Sequence, residues 1–328
     1  MEARAPRAHP DRPFARCRRE TNGEHTGPDM ADGTMDVLIN KAGGAASAAG
    51  DRLPAEVQRA FADAGVTARI ALLDGGALAD AVRERAGKSR RLVVGGGDGT
   101  VSSAAGALAG SDAELAVLPL GTLNHLARDA GIPTDLKAAA ALAIHGHARR
   151  IDTARVGRRT FINNASIGIY PAMVRSRDRL QERGLPKPVA AIPAAWAALT
   201  RAHDLRLMID TGTGGQRLVT PLLFVGNGEY SIERGSLGCR ASLDDGRLGI
   251  MAVRHRTRLA LAWFALRSLF GASDPSRDFD ALTTCASFQV SAAEPEINVA
   301  LDGEVERMAL PLTFTVRPRS LRLVMPGA

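Results

Sequence analysis

Leu92-Val93-Val94 runs straight into Gly95-Gly96-Gly97-Asp98-Gly99-Thr100, and an Ala-rich stretch follows. Three apolar residues, two of them β-branched, predict a short buried strand. The four glycines predict a turn, and the spacing after them predicts a helix over Thr100–Ala109. A strand that turns on glycines directly into a helix is one unit of a parallel sheet covered by helices. The turn lets backbone N–H groups approach an anion with no Cβ in the way, and the helix points its positive end at the same spot. Asp98 is the odd residue in such a loop, because it repels phosphate. It suits a cation, a sugar hydroxyl or a proton in transit. A plain βα turn without a ligand is the simpler alternative.

The same arrangement returns one helix later. Leu115-Ala116-Val117-Leu118 predicts a strand, and Pro119-Leu120-Gly121-Thr122-Leu123-Asn124-His125 leads from it into another helix. Two parallel strands one helix apart suit neighbouring positions, with their C-terminal ends on the shared edge where open α/β sheets bind ligands. Gly97, Gly99, Thr100, Gly121, Thr122 and Asn124 can then converge on one nucleotide. Gly87-Lys88-Ser89 imitates the end of a P-loop. The position where that motif needs its first glycine is Val82, and the segment precedes a strand instead of opening a helix.

From Asp36 to His145 the pattern alternates strands (36–39, 69–73, 91–94, 115–118) with helices (51–64, 77–86, 100–109, 124–130, 135–145). This alternation predicts a parallel sheet covered on both faces. After Arg150 the texture changes to strands separated by polar turns: 150–156, 159–163, 205–210, 216–225, 248–253, 286–291, 297–301, 312–316 and 321–324. That pattern predicts an antiparallel sandwich, interrupted by helices at 172–182 and 257–270. The fold class is therefore α/β: an N-terminal parallel-sheet nucleotide-binding domain followed by an antiparallel β-sandwich domain. The segment 1–34 has little apolar periodicity and is expected to be disordered. Met30 and Met35 both lie just before the first strand, and a later start at either is compatible with the pattern.

The chain resembles the diacylglycerol kinase catalytic-domain family, which includes bacterial lipid kinases and sphingosine kinases. The resemblance rests on Gly96-Gly97-Asp98-Gly99-Thr100, on Pro119 to Asn124, on Asp244-Asp245-Gly246 and on Asp302-Gly303-Glu304, in that order. Asn40-Lys41 and the glycines Gly43-Gly44 resemble the family's opening turn. Ser102 and Ser103 stand where that family usually has Asn-Glu, and Leu123-Asn124-His125 replaces a common Gly-Asn-Asp. The resemblance implies ATP as phosphate donor, held by Asn40, Lys41, Gly96, Gly97, Asp98, Gly99, Thr100, Gly121, Thr122 and Asn124. It implies Mg²⁺ at the Asp244–Asp245 turn, through Asp245 most directly. It implies that Asp302 and Glu304 lie beside the acceptor hydroxyl, with Asp98 as a further candidate base. It also implies that the C-terminal strands, 311–328, rejoin a nucleotide domain at 35–150, leaving 151–310 as the lipid-binding sandwich. Read from the residues alone, both acidic turns are equally ordinary Asp-Gly hairpins.

The net charge is +7, and residues 1–34 hold equal numbers of acids and bases, so the excess sits on the folded part. Such a surface attracts nucleotide, anionic lipid or nucleic acid. Aromatic residues are only 4% of the chain, which offers few stacking platforms for single-stranded nucleic acid. An anionic membrane touched transiently, with no nucleic acid, is the expectation; Arg254, Arg256, Arg258 and Trp263 mark one candidate face. Cys17, Cys239 and Cys285 are too few and too scattered for a disulfide framework, which fits a reducing cytoplasm. No apolar run reaches the ~20 residues of a membrane span. The sequence leaves oligomers open.

Taken together, the chain reads as an ATP-dependent kinase of a lipid hydroxyl, cytoplasmic and peripherally membrane-associated. A kinase of a soluble substrate, of the NAD kinase type, shares the glycine loop. A nucleotide-binding membrane sensor without catalysis is the non-enzymatic alternative, kept open by Ser102 and Ser103.

Overall fold

A computed structural model describes residues 33–41, 50–169, 171, 204–212, 214–230, 240, 242–254 and 279–327. Of the segment 1–34 expected to be disordered, 1–32 lies outside the described residues and Thr34 already belongs to the first strand. The turn at Gly43-Gly44, the helices at 172–182 and 257–270, and all of the candidate membrane face except Arg254 also lie outside them.

Strands β1 (Thr34–Asn40), β2 (Thr67–Leu73), β3 (Arg91–Gly96) and β4 (Glu114–Pro119) pair in parallel in the order β2-β1-β3-β4. Alternate side chains go to opposite faces, as the period of two requires. Leu38, Leu92 and Val94 pack with helices α2 (Gly75–Ala86) and α3 (Asp98–Leu108). Val37, Ile39 and Val93 pack on the other face with α1 (Leu53–Asp63) and α5 (Leu136–His145). Both faces are covered, so these strands read as unbroken apolar runs. The helix that follows β1 lies on one face and the helix that follows β3 lies on the other. The sheet's topology therefore switches between β1 and β3, and a crevice opens outside their C-terminal ends.

Glu114, at the start of β4, is buried and meets Arg91 and Arg322, each at 2.8 Å. The Arg91 guanidinium also donates to the carbonyls of Ala143, Ile144 and Gly146 at the end of α5. A cation there satisfies carbonyls that the helix leaves unpaired.

Strand β16 (Leu312–Met325) carries the sheet onward. It pairs in parallel with β4 at Arg322–Leu323 and antiparallel with β5 (His147–Val156) and β13 (Ser287–Ser291). Strands β8 (Leu205–Asp210) and β9 (Gly215–Thr220) extend it, and β6 (Arg159–Phe161) hangs on β5. A second, antiparallel sheet has the order β12-β11-β10-β7-β14-β15, built from Phe279–Cys285, Leu248–Val253, Leu222–Asn227, Asn164–Gly168, Glu296–Leu301 and Glu304–Ala309. The two sheets face each other over Phe161, Phe288, Phe314, Ile167, Val225 and Val299. Phe288 and Phe314 stack at 5.0 Å. The α/β class with its following antiparallel sandwich is what the sequence predicts.

Two stretches are divided differently from that prediction, and three strands were not marked in it. The stretch 216–225 is two strands in different sheets, split at Pro221, which has no N–H to continue a ladder. The stretches 312–316 and 321–324 are one strand, bulged between Arg317 and Leu321 around Pro318. Strands β7, β12 and β15 carry too many polar residues to stand out by apolar alternation.

Candidate active site

Three strand ends meet in the crevice. Asn40 closes β1, Gly96 closes β3 and Pro119 closes β4. Asn40 Nδ2 donates to Thr100 Oγ1 at 2.8 Å, which ties the end of β1 to the first turn of α3. A Cβ on Gly96 would stand 2.5 Å from Thr100 Cβ, so only glycine lets the chain turn here.

The two glycine loops touch. A Cβ on Gly121 would stand 2.6 Å from Gly97 Cα and 2.7 Å from Asn124 Oδ1. Asn124 adopts a left-handed backbone conformation, φ 48, which asparagine tolerates. Its side chain accepts from the Gly121 N–H at 3.0 Å and donates to the Gly121 carbonyl at 2.9 Å, bracing the loop from within. Asp98 Oδ1 accepts from the His125 N–H at 2.6 Å, at the start of α4 (His125–Asp129). The structure thus brings Asn40, Gly96 to Thr100, and Gly121 to Asn124 together. Thr122 is exposed beside them. Lys41 is also exposed and pairs with Asp74 at 3.0 Å.

The late acidic turn lies against the same helix. Asp302 sits at φ 46, between β14 and β15. Its carboxylate accepts from the backbone N–H groups of Ile162 at 2.8 Å, Asn163 at 2.8 Å and Asn164 at 2.9 Å, and from the Ser102 hydroxyl. Burial pushes the Asp302 carboxyl above its ordinary value, while the Ser102 hydroxyl and the three amides pull the other way. Both oxygens are committed, and through Ser102 they join α3 to the second sheet. Glu304 is different: its side chain is 60% exposed. Its Oε1 stands 3.4 Å from where a Gly99 Cβ would be. Arg159 holds it at 3.6 Å and holds Glu306 at 3.0 Å. Gly99, Ser102, Asp302 and Glu304 line one cleft of about 190 Å³.

The Asp244-Asp245-Gly246 turn does not line that cleft. The buried Asp152 carboxylate anchors it, accepting from the Gly246 N–H at 2.6 Å and from the Arg319 N–H at 2.7 Å. Asp244 Oδ1 accepts from the Ser242 hydroxyl, and Oδ2 faces Arg149 at 3.8 Å. Asp245 is exposed and, among the described residues, accepts the amides of Glu229 at 3.3 Å and Arg247 at 3.1 Å. The two carboxylates do not converge, and among the described residues no three His, Cys, Asp or Glu side chains form a metal cluster. The donor set fits a hard cation held by Asp245 alone with backbone carbonyls, and not a two-carboxylate site.

Several contributors are invisible in the sequence. Arg240 and Asp129 form a pair 1% exposed on each side, at 2.8 Å, across 111 residues of chain. Arg240 also donates to the carbonyls of Ile162 at 2.6 Å and Asn227 at 3.0 Å. Because Asp129 belongs to α4, this pair fastens the second glycine loop to the second sheet. Tyr230 donates to the Asn163 carbonyl at 2.9 Å, and burial pushes its phenol up to about 12. Arg83, Arg158 and Arg159 also line the cleft. Ser102 and Ser103, which also line the cleft, do carry a sequence signal, as departures from the family pattern.

Comparison with known proteins agrees with this geometry. The family model of the diacylglycerol kinase catalytic domain matches residues 34–156. A Pseudomonas aeruginosa protein named "Probable lipid kinase YegS-like" is 32% identical over 245 residues, 72% of this chain and 76% of that protein. A Mycobacterium tuberculosis diacylglycerol kinase is 30% identical over 244 residues, again 72% and 76%. The crystal structure of a diacylglycerol kinase from Bacillus anthracis shares the fold, with a TM-score of 0.64 over 90% of this chain and 97% of that one, at 20% identity. Among the described residues no helix is long and apolar enough to cross a membrane. The chain belongs to the lipid kinase family built on the diacylglycerol kinase catalytic domain.

Proposed function

We propose that this chain transfers the γ-phosphoryl group of ATP to a hydroxyl of a diacylglycerol-like lipid. One juxtaposition carries the reading: an exposed carboxylate, Glu304, stands over Gly99, where the glycine loop enters α3. Phosphoryl transfer asks a protein for charge neutralisation, in-line positioning and a group near the attacking hydroxyl. The backbone N–H groups of Gly96, Gly97 and Gly99, with Thr100 and Thr122, cradle the phosphates. Glu304 takes the proton of the acceptor hydroxyl as its oxygen bonds to phosphorus and ADP leaves. Asp302 and Asp98 rank below it, since Asp302 has both oxygens occupied and Asp98 holds the His125 amide. Ser102 supports Asp302 in holding the turn.

In this reading residues 35–150, with 311–328, hold the nucleotide, and 151–310 take the acyl chains. A Mg²⁺ ion would have Asp245 and backbone carbonyls as oxygen ligands and would supply a fixed positive charge at that turn. The basic surface, +7 overall, suits transient contact with an anionic membrane. ATP labelled at the γ-phosphate, offered with a panel of lipids and with NAD, tests the reading. Label on a lipid supports it. Label on NAD alone overturns it, and nucleotide binding with no transfer to any acceptor leaves a sensor.

A further inference from the structure

The cleft beside Glu304 carries more positive charge than a neutral acceptor needs. Arg83 of α2 and Arg158 and Arg159 of the β5–β6 hairpin line it, opposite Gly99, Ser102 and Ser103 of α3. The three guanidinium groups are not equivalent. Arg159 is held by Glu304 and Glu306. Arg83 pairs with Asp80 on its own helix, where both side chains are more than half exposed. Such a surface pair contributes little and is easily exchanged for a better anion. Arg158 forms no ion pair or hydrogen bond among the described residues. The carboxylate nearest the helix, Asp302, is satisfied by three amides and a hydroxyl and offers nothing to it. The cleft therefore holds two guanidinium groups that are available to an anion, beside a helix N-terminus and two serine side chains.

Building on the kinase reading, we propose that Arg158 and Arg83 form a phosphate-binding clamp in this cleft, which Gly99 of the glycine loop also lines. A guanidinium matches a phosphate in two parallel N–H bonds, which a lysine cannot do. The phosphate has two possible sources. One is the terminal phosphate of ATP leaving the glycine loop; the other is a phosphate on the acceptor's head group.

Isothermal titration of the full chain with ATP, ADP, glycerol 3-phosphate and glycerol separates these sources without requiring turnover. The variants are Arg158→Ala, the double variant Arg83→Ala/Arg158→Ala, and Arg158→Lys. Both arginines are exposed, so the fold should survive, and circular dichroism checks it. If the clamp takes ATP's terminal phosphate, ATP affinity falls about tenfold or more in Arg158→Ala while ADP affinity holds. If it takes the acceptor's phosphate, glycerol 3-phosphate binding is lost while ATP and ADP are unaffected. In both cases Lys should restore only part of the effect. Unchanged affinity for all three phosphates in the double variant overturns the clamp. A parent protein that transfers phosphate to no lipid overturns the kinase reading instead, and these titrations keep their meaning.

Discussion

Asp98 Oδ1 accepts the His125 N–H at 2.6 Å, so the first glycine loop holds the start of the helix that follows the second. The relationship separates two uses of one carboxylate. Asp98→Asn keeps an acceptor oxygen and should keep ATP affinity near the parental value. Asp98→Ala leaves the amide unpaired, and ATP affinity should fall about tenfold, the loss of one charge-assisted hydrogen bond. Calorimetry on both variants checks this. If Asp98→Asn binds ATP normally yet loses turnover, the charge itself serves the chemistry.

Glu304→Gln preserves shape and removes the proton acceptor. Turnover should fall by roughly 10²–10⁴, with ATP affinity barely changed. Steady-state rates and titration on the same preparation give both numbers. Near-parental turnover would make this turn a structural hairpin.

Asp302 makes stability depend on pH in a stated direction. Burial raises its carboxyl above 3.8, against the pull of Ser102, Ile162, Asn164 and Asn163. The folded chain therefore keeps this proton at pH values where the unfolded chain has released it. Stability contributed by the group is present at acid pH and is lost as pH rises from 3.8 through the folded value. Asn at 302 cannot ionise, and it suits the left-handed backbone. Denaturant unfolding across the acid range should show that slope in the parent and not in Asp302→Asn. Equal slopes would remove Asp302 as the titrating group.

Glu114→Gln leaves the buried Arg91 without the carboxylate it pairs with. Breaking a buried pair on one side costs about 3–5 kcal/mol. Urea unfolding should show a loss of that size, with ATP affinity per folded molecule unchanged. A loss below about 1 kcal/mol would rank the pair with exposed surface bridges.

Asp245→Asn removes the one exposed carboxylate of its turn. Any loss of activity should be partly restored by raising Mg²⁺, since a weaker oxygen donor needs more cation to fill it. A defect that ignores Mg²⁺ from micromolar to millimolar would make the turn structural, as its Asp152 anchor already allows.

Much of this was legible in the sequence, for identifiable reasons. Leu92-Val93-Val94 and Leu115 to Leu118 announce buried parallel strands because both their faces are covered. The glycine loops announce themselves because a Cβ on Gly96 or on Gly121 would collide with the loops' own atoms. The sequence could not show that Gln216 to Val225 crosses from one sheet to the other at Pro221. It also could not show that Asp302 spends both oxygens on the backbone of residues 162–164, because that contact spans about 140 positions. Arg240 and Asp129 were illegible for the same reason. Each is an ordinary surface residue until the other arrives.

Strand β16 has a consequence for how the molecule is made. It pairs with β5 along one edge and with β13 and β4 at the two ends of the other, so β4 has a bare edge until Arg322 and Leu323 have been synthesised. A ribosome emitting this chain releases the glycine loops, the helices around them and most of the sandwich before the strand that joins them. Unpaired edges invite the wrong neighbours, and larger chains misassemble most readily while such edges are open. The nucleotide loops therefore cannot sit in a finished sheet during translation, and a nascent chain halted short of β16 should need a chaperone to stay monomeric.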